Sequence, residues 1–226
     1  MKTVGAVKVI LSAGLLVAGG AGGQTSATNT PAAADPGATT IETEADRPWS
    51  FSLSAYTYIL PDSHDYVQPT FTADRGWLHL EARYNYEALD TGSVWIGYNF
   101  SIGEELTLDF TPMLGVVSGK TKGLAPGYEA TLGWRKLELY SEGEYVFDKD
   151  VSADSFFYMW TELTYAPTDW FRFGLVGQRT RAYQTEVETQ RGVLARFTYK
   201  SADLTAHVFN PFTDYPAYVL SVSVSF

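Results

Sequence analysis

The last nine residues, Tyr218-Val-Leu-Ser-Val-Ser-Val-Ser-Phe226, decide the fold. Every second residue, from the tyrosine to the phenylalanine, is apolar, and three serines lie between them. Successive side chains of a strand point to opposite faces, so this period of two predicts a strand with one apolar and one polar face. The same alternation predicts eleven more strands upstream, and no segment has a convincing helical period.

The predicted strands are connected alternately by tight turns of two to four residues and by longer loops. This pattern predicts an all-β, up-and-down antiparallel barrel with two different rims. The 178 residues from Trp49 to Phe226 leave about 15 residues for each of twelve strands with its connection, and a tilted spanning strand needs ~9–11. Ten or fourteen strands are the alternatives. The twelve predicted spans are 50–60, 66–73, 77–86, 93–101, 106–117, 127–134, 137–147, 155–166, 170–180, 187–199, 204–210 and 217–226.

Aromatic residues divide the chain into a leader and a body. All 34 aromatics (6 Trp, 15 Tyr and 13 Phe) lie at or after Trp49. Residues 1–23 combine two lysines, a short apolar run and small residues, which predicts a secretory signal peptide. Residues 24–48 are rich in Thr, Ala, Pro and Gly, which predicts a disordered periplasmic tail because so little apolar area is available to bury. Residues 49–226 are the predicted barrel.

Composition excludes several classes of site. The chain has no cysteine, so disulfides, zinc-thiolate sites and a lipid-modified cysteine are excluded. The net charge is −10 and no basic cluster occurs, which argues against nucleic acid as a partner. Asp148, Asp150 and Asp154 lack the glycine and terminal glutamate of a calcium loop. We therefore predict no cofactor and no metal site.

Aromatic side chains on the apolar face cluster near both ends of the strands. Two aromatic belts that bracket aliphatic residues are what a bilayer favours, whereas a soluble barrel such as a lipocalin buries its apolar face. The alternation and the belts together predict a transmembrane barrel. The belt at the short-turn end comprises Phe71, Phe100, Trp134, Tyr165, Tyr199 and Phe226, and the opposite belt comprises Tyr86, Tyr128, Tyr145, Phe147, Phe157 and Tyr218.

With these features, residues 49–226 resemble a bacterial outer-membrane β-barrel protein, of no identified subfamily. The resemblance implies export to the outer membrane of a Gram-negative bacterium, with outer-membrane lipid and lipopolysaccharide around the barrel. In that class, a terminal strand ending in phenylalanine is the signal read by the barrel-assembly machinery. The matching positions are Tyr218, Leu220, Val222, Val224 and Phe226. Lys120, Lys122, Lys149 and Arg181 in or beside the long loops are candidates for lipopolysaccharide phosphates.

The polar face is predicted to line the lumen, and its carboxylates outnumber its arginines. Such a lumen favours cations, which predicts a passive, porin-like channel for small hydrophilic solutes with a mild cation preference. The alternative is that the same groups pair, as Glu162 with Arg172 and Glu138 with Arg135, and fill a non-conducting structural or interaction barrel. The predicted lumen residues are His79, Glu81, Arg83, Trp95, Asp109, Glu129, Glu138, Tyr140, Glu142, Glu144, Tyr158, Trp160, Glu162, Arg172, Arg196 and His207.

Catalysis is the third and least supported reading. An outer-membrane phospholipase has a His-x-Ser pair, which this sequence lacks. Asp62, His64 and Asp65 supply the residue types of an acid and histidine protease site, but a loop with this composition is typical of a turn. We predict no enzyme activity and assign no catalytic residue.

Two features depart from an ideal barrel sequence. Pro69 and Pro112 fall inside predicted strands, where neither can donate to the ladder, so we expect a bulge or local unpairing at each. Ser141 and Gly143 leave the apolar face of one strand small in its middle. This gap either has no role or marks a subunit contact in a homo-oligomer.

Overall fold

The computed structural model describes residues 48–60, 64–149, 155–182 and 188–226. The predicted signal peptide and nearly all of the predicted tail lie outside the described residues. Among the residues that are described, no helix has the length and apolarity needed to cross a bilayer. These residues form thirteen strands: β1 Ser50–Ile59, β2 Tyr66–Arg75, β3 Leu78–Tyr84, β4 Thr91–Tyr98, β5 Phe100–Ile102, β6 Leu106–Gly119, β7 Gly123–Trp134, β8 Leu137–Asp148, β9 Phe156–Thr168, β10 Phe171–Ala182, β11 Glu188–Tyr199, β12 Ala202–Phe209 and β13 Ala217–Ser225.

The strands pair with their sequence neighbours and close into a barrel. β1 pairs with the terminal strand β13, and every pairing is antiparallel. β4 and β5 both pair with β6, so they are two halves of one interrupted strand. Counted this way, the described residues form the predicted twelve-stranded antiparallel barrel.

Pro112 on β6 faces the interruption between β4 and β5. Pairing of β4 with β6 ends at Gly97↔Met113, and pairing of β5 resumes at Phe100↔Phe110. Proline has no N–H to donate to the ladder, which accounts for the gap. Asn99 lies inside the gap, and on the side away from β6 it donates its backbone N–H to Trp77 O, just before β3, over 2.7 Å.

Pro69 also lies where a ladder stops. Its pairing with β1 is continuous at Ala55↔Pro69, but the β2–β3 ladder ends at Thr70↔Arg83. Local unpairing is therefore confirmed at both prolines. β7 begins four residues earlier than predicted and includes Pro126, which lies opposite Leu114 of β6. The glycines and the proline of this segment obscure the alternation in the sequence.

The outer surface of the barrel is apolar. Large aliphatic side chains are exposed along the middle of the strands, including Leu53, Val94, Ile96, Leu114, Val116, Leu132, Leu139, Leu163, Leu175, Val193, Leu204, Leu220 and Val222. The predicted belt residues Phe71, Phe100, Trp134, Tyr165 and Tyr199 are all exposed, as are the terminal-strand residues Tyr218, Leu220, Val222, Val224 and Phe226. An apolar exterior with aromatic rims is the surface that a bilayer accommodates.

Rings also meet across neighbouring strands at the short-turn rim. Phe51 stacks on Phe71 and on Phe226, with ring centroids 6.0 and 5.8 Å apart. Tyr98 stacks on Trp77 in the same way, and its ring also contacts Phe100 two residues further along the interrupted strand. The rim therefore carries more aromatics than the sequence prediction included.

Two members of the predicted opposite belt were placed wrongly. Tyr86 is buried inside the barrel, because β3 ends at Tyr84 and Asn85 adopts a positive φ of 59°, which breaks the alternation. Tyr128 lies on the outer face but in the middle of β7. Its hydroxyl lies 3.2 Å from Ser141 Oγ, and a Cβ on Gly143 would come within 2.8 Å of its ring. The small residues of β8 are thus covered by a ring of the same chain.

Candidate functional site

The polar faces of the strands meet in the interior of the barrel. Glu138 and Arg172 are half-buried there, and Asp109 is exposed near the short-turn rim, where it accepts a hydrogen bond from Ser101. The other predicted lumen residues are buried: His79, Glu81, Arg83, Trp95, Glu129, Tyr140, Glu142, Glu144, Tyr158, Trp160, Glu162, Arg196 and His207.

Arg83 on β3 bridges the interior. Its Nε and Nη2 donate to the two carboxylate oxygens of Glu81 over 2.6 and 2.9 Å, and Nη1 donates to Glu144 Oε2 on β8 over 3.1 Å. The guanidinium also lies over the rings of Tyr86 and Trp95, 4.1 and 4.5 Å from their centroids. β3 and β8 are not neighbours in the sheet, so this cluster spans the lumen.

Bulky aromatic side chains fill the space around the bridge. A Cβ on Gly115 would come within 2.5 Å of the Trp95 ring, so glycine on β6 lets this ring lie flat against the wall. Tyr86 and Tyr140 each donate a hydroxyl hydrogen bond to Glu142, over 2.8 and 2.7 Å. Among the described residues that surround the bridge, the remaining gap is too small for a water molecule.

A second cluster is centred on Glu162 of β9. Its carboxylate accepts hydrogen bonds from Arg196 Nη2 over 2.8 Å and from Trp160 Nε1 over 3.0 Å, and it lies 2.9 Å from His207 Nε2. The predicted Glu162–Arg172 pair is wrong, because the β9–β10 register places Val176 opposite Glu162.

Arg172 and Glu138 pair with each other instead of with their predicted partners. Arg172 forms an ion pair with Glu138 of β8 and donates to Thr164. Arg135, the predicted partner of Glu138, pairs on the exterior with Glu105 over 3.1 Å. Pairing inside the barrel was therefore expected correctly, but the partners were not.

Negative charge is in excess inside the described part of the chain. Six glutamates are buried, against two arginines and two histidines. Three of these glutamates each keep one buried oxygen that accepts no hydrogen bond from the described residues: Glu87 Oε2, Glu129 Oε1 and Glu144 Oε1. Burying a carboxylate without a partner is costly, so these oxygens favour a cation or a proton.

Glu87 lies in the loop after β3, at the long-loop end. Its Oε1 accepts a hydrogen bond from Ser93 Oγ over 2.5 Å, and Ser93 accepts one from Trp95 Nε1. Burial raises the pKa of the Glu87 carboxyl, and the negative charge of Glu81 adds to the increase. Glu87 was not among the predicted lumen residues because it follows the break in alternation at Asn85.

His79, Glu81 and Glu129 come together near the short-turn end. One potential ligand atom from each lies within 4.8 Å of the others. His79 Nδ1 is 2.8 Å from Asp74 Oδ1, and its Nε2 is 3.4 Å from Glu81 Oε2. The alternation of the strands predicts all three for the lumen, but it does not predict that they meet, since Glu129 lies on a different strand from His79 and Glu81.

Of the three candidate protease residues, the structure describes His64 and Asp65. Asp65 accepts a hydrogen bond from the backbone N–H of Leu60 over 3.1 Å, which is the contact of a turn. Asp62 lies outside the described residues, as do Asp150 and Asp154.

No protein-family model matches the sequence, and no curated protein matches it. Solved structures with a similar fold are porins. A KdgM porin has a TM-score of 0.55 at 10% identity, covering 77% of this chain and 99% of that one. A KdgM porin in complex with disordered oligogalacturonate has a TM-score of 0.56 at 11% identity, with the same coverage. The NanC porin has a TM-score of 0.51 at 13% identity, covering 76% of this chain and 98% of that one. The fold is therefore that of bacterial outer-membrane porins.

Proposed function

We propose that this protein is a narrow, cation-preferring channel of the outer membrane that passes small hydrophilic solutes. The observation that carries the proposal is the buried acid excess, in which one carboxylate oxygen each of Glu129 and Glu144 accepts no hydrogen bond from the described residues. An interior that serves only to fill a barrel is most stable when its charges balance. An excess of carboxylates over basic groups along a polar lumen instead attracts cations.

The exterior supports the membrane location. Exposed aliphatic residues lie between aromatic rims, as in barrels that contact lipid. A soluble protein rarely exposes so much contiguous apolar surface. The porin fold agrees with this placement, and the proposed class of solute is argued from the charge of the interior alone.

The charge of the interior favours cations over the polyanion named with one similar structure. Oligogalacturonate carries a carboxylate on each sugar unit, and it is the ligand of a KdgM porin. The buried glutamates of this barrel would repel such a chain. We therefore assign cations and small neutral solutes to this channel.

The Arg83 bridge makes the path narrow. Its contact with Glu144 joins β3 to β8, which is not a neighbouring strand, and the Trp95 and Tyr86 rings close around it. This filling is the specific observation that favours a second candidate function, a non-conducting structural barrel.

Recording in planar bilayers separates the two functions. We expect unitary currents and a reversal potential, in a potassium chloride gradient, that reports a preference for potassium. Glu142→Gln with Glu144→Gln should reduce that preference. An unchanged reversal potential would show that these acids do not line the path. The matched control is Glu105→Gln, which removes an acid from an exposed turn.

A further inference from the structure

We propose that His79, Glu81 and Glu129 bind one divalent transition-metal ion, with Zn²⁺ as the probe, inside the short-turn end of the barrel. The site goes beyond the proposed channel function. It requires only the folded barrel, so metal binding and conduction can succeed or fail separately.

The first observation is the arrangement of His79. Asp74 Oδ1 lies 2.8 Å from Nδ1 and fixes that nitrogen as a donor. In the neutral ring, Nε2 then presents a lone pair to Glu81 Oε2 at 3.4 Å. Two acceptors that face each other need a positive charge between them, which either a proton on Nε2 or a bound metal ion supplies. About 3.4 Å is also the separation of two ligand atoms placed 2.0–2.1 Å from a tetrahedral zinc.

The second observation is Glu129, which completes the ligand set from β7. Its side chain is 95% buried, and its Oε1 accepts no hydrogen bond from the described residues. The nearest cation is Arg83 Nη2, 3.9 Å away, which itself bonds to Glu81 Oε2. One carboxylate oxygen of Glu129 lies within 4.8 Å of the potential ligand atoms of His79 and Glu81.

A second layer of hydrogen bonds holds the histidine. Asn99 Nδ2 donates to Asp74 Oδ1 over 2.8 Å, and Thr111 donates to Asn99 Oδ1 over 2.7 Å. A carboxylate on the outer nitrogen of a histidine is the usual support of a metal-binding imidazole. Asn99 faces the lumen because it continues the inward face of Trp95 and Gly97.

The ligand types select the class of metal. One imidazole nitrogen and two carboxylate oxygens suit zinc, iron or manganese better than the all-oxygen preference of calcium or magnesium. Asp74 is 27% exposed, so the site lies just inside the short-turn rim.

Titration calorimetry of the folded, tag-free barrel in detergent with zinc chloride tests the site. We expect one saturable site, weakened at least about tenfold in Glu129→Gln and in His79→Gln, since even outer-layer changes cost roughly ten- to a hundredfold. Glu105→Gln and His64→Gln, which remove the same residue types from exposed positions, should bind like the unmodified protein. The absence of saturable binding, or equal affinity in Glu129→Gln, would overturn the proposal.

Folding of each variant is checked by heat-modifiable mobility in gels. If Glu129→Gln and His79→Gln do not fold, Asp74→Asn at the half-exposed rim replaces them. This variant keeps an oxygen for His79 but removes the charge. We expect it to weaken zinc binding roughly tenfold or more, and unchanged affinity would contradict the assignment.

Discussion

Arg83 and Glu144 meet across the interior of the barrel, with Nη1 donating to Oε2 over 3.1 Å between residues 61 positions apart. Arg83→Gln leaves Glu81 and Glu144 buried without a cation. We expect a loss of about 3–5 kcal/mol of unfolding free energy, as for other broken buried pairs. Arg135→Gln, which breaks an exposed pair, should cost roughly 0–1 kcal/mol. Urea unfolding in vesicles measures both, and equal costs would contradict the bridge.

The same bridge sets the width of the path. In the fraction of Arg83→Gln that folds, we expect a larger unitary conductance, because the link between β3 and β8 is gone. Arg135→Gln should conduct like the unmodified protein. A conductance that does not rise in Arg83→Gln would show that the bridge does not obstruct the path.

Gly115 is needed for the flat packing of Trp95. Gly115→Ala places a methyl group about 2.5 Å from ring atoms, and such overpacking typically costs about 1–3 kcal/mol. Gly177→Ala is the matched control, since an added Cβ there meets nothing within 4 Å. Unfolding midpoints of the two variants compare them directly. Equal midpoints would mean that the Trp95 ring moves freely.

Glu87 gives a pH dependence with a defined sign. Its pKa is raised in the folded barrel, so the folded state binds more protons than the unfolded state at pH values between the two pKa values. Stability therefore falls as pH rises through that window. Glu87→Gln cannot ionise, so it should gain stability relative to the unmodified protein as pH rises from 4 to 7. A constant difference between the two unfolding free energies would contradict this.

Phe226 connects the last strand of the barrel to the first. Its backbone N–H and C=O exchange hydrogen bonds with Phe51, each 2.9 Å long, and the two rings stack. We expect deletion of Phe226 to lower the amount of folded, heat-modifiable barrel. Tyr199→Leu, which alters an exposed belt residue away from the closure, is the control. If the deletion variant gives as much folded barrel as the unmodified protein, Phe226 is not needed for assembly.

The sequence predicted the strands well because alternation is a local property. It failed at Tyr86, where the positive φ of Asn85 moves the next side chains to the other face. The break in the ladder at Pro112 could be predicted, since the missing backbone N–H of proline is also a local property.

The sequence predicts which side chains face the lumen but not which of them contact one another. Which charges pair depends on the register and on contacts between strands that are not neighbours. Glu162 meets Arg196 and His207 rather than Arg172 for this reason. Likewise, Glu129 reaches His79 only because the closed barrel brings β7 and β3 together.

The most direct test of the channel proposal is the unitary conductance of the refolded barrel in planar bilayers. We expect small, discrete currents whose reversal potential in a potassium chloride gradient indicates a cation preference. The absence of unitary current above background would contradict a channel and leave the non-conducting barrel.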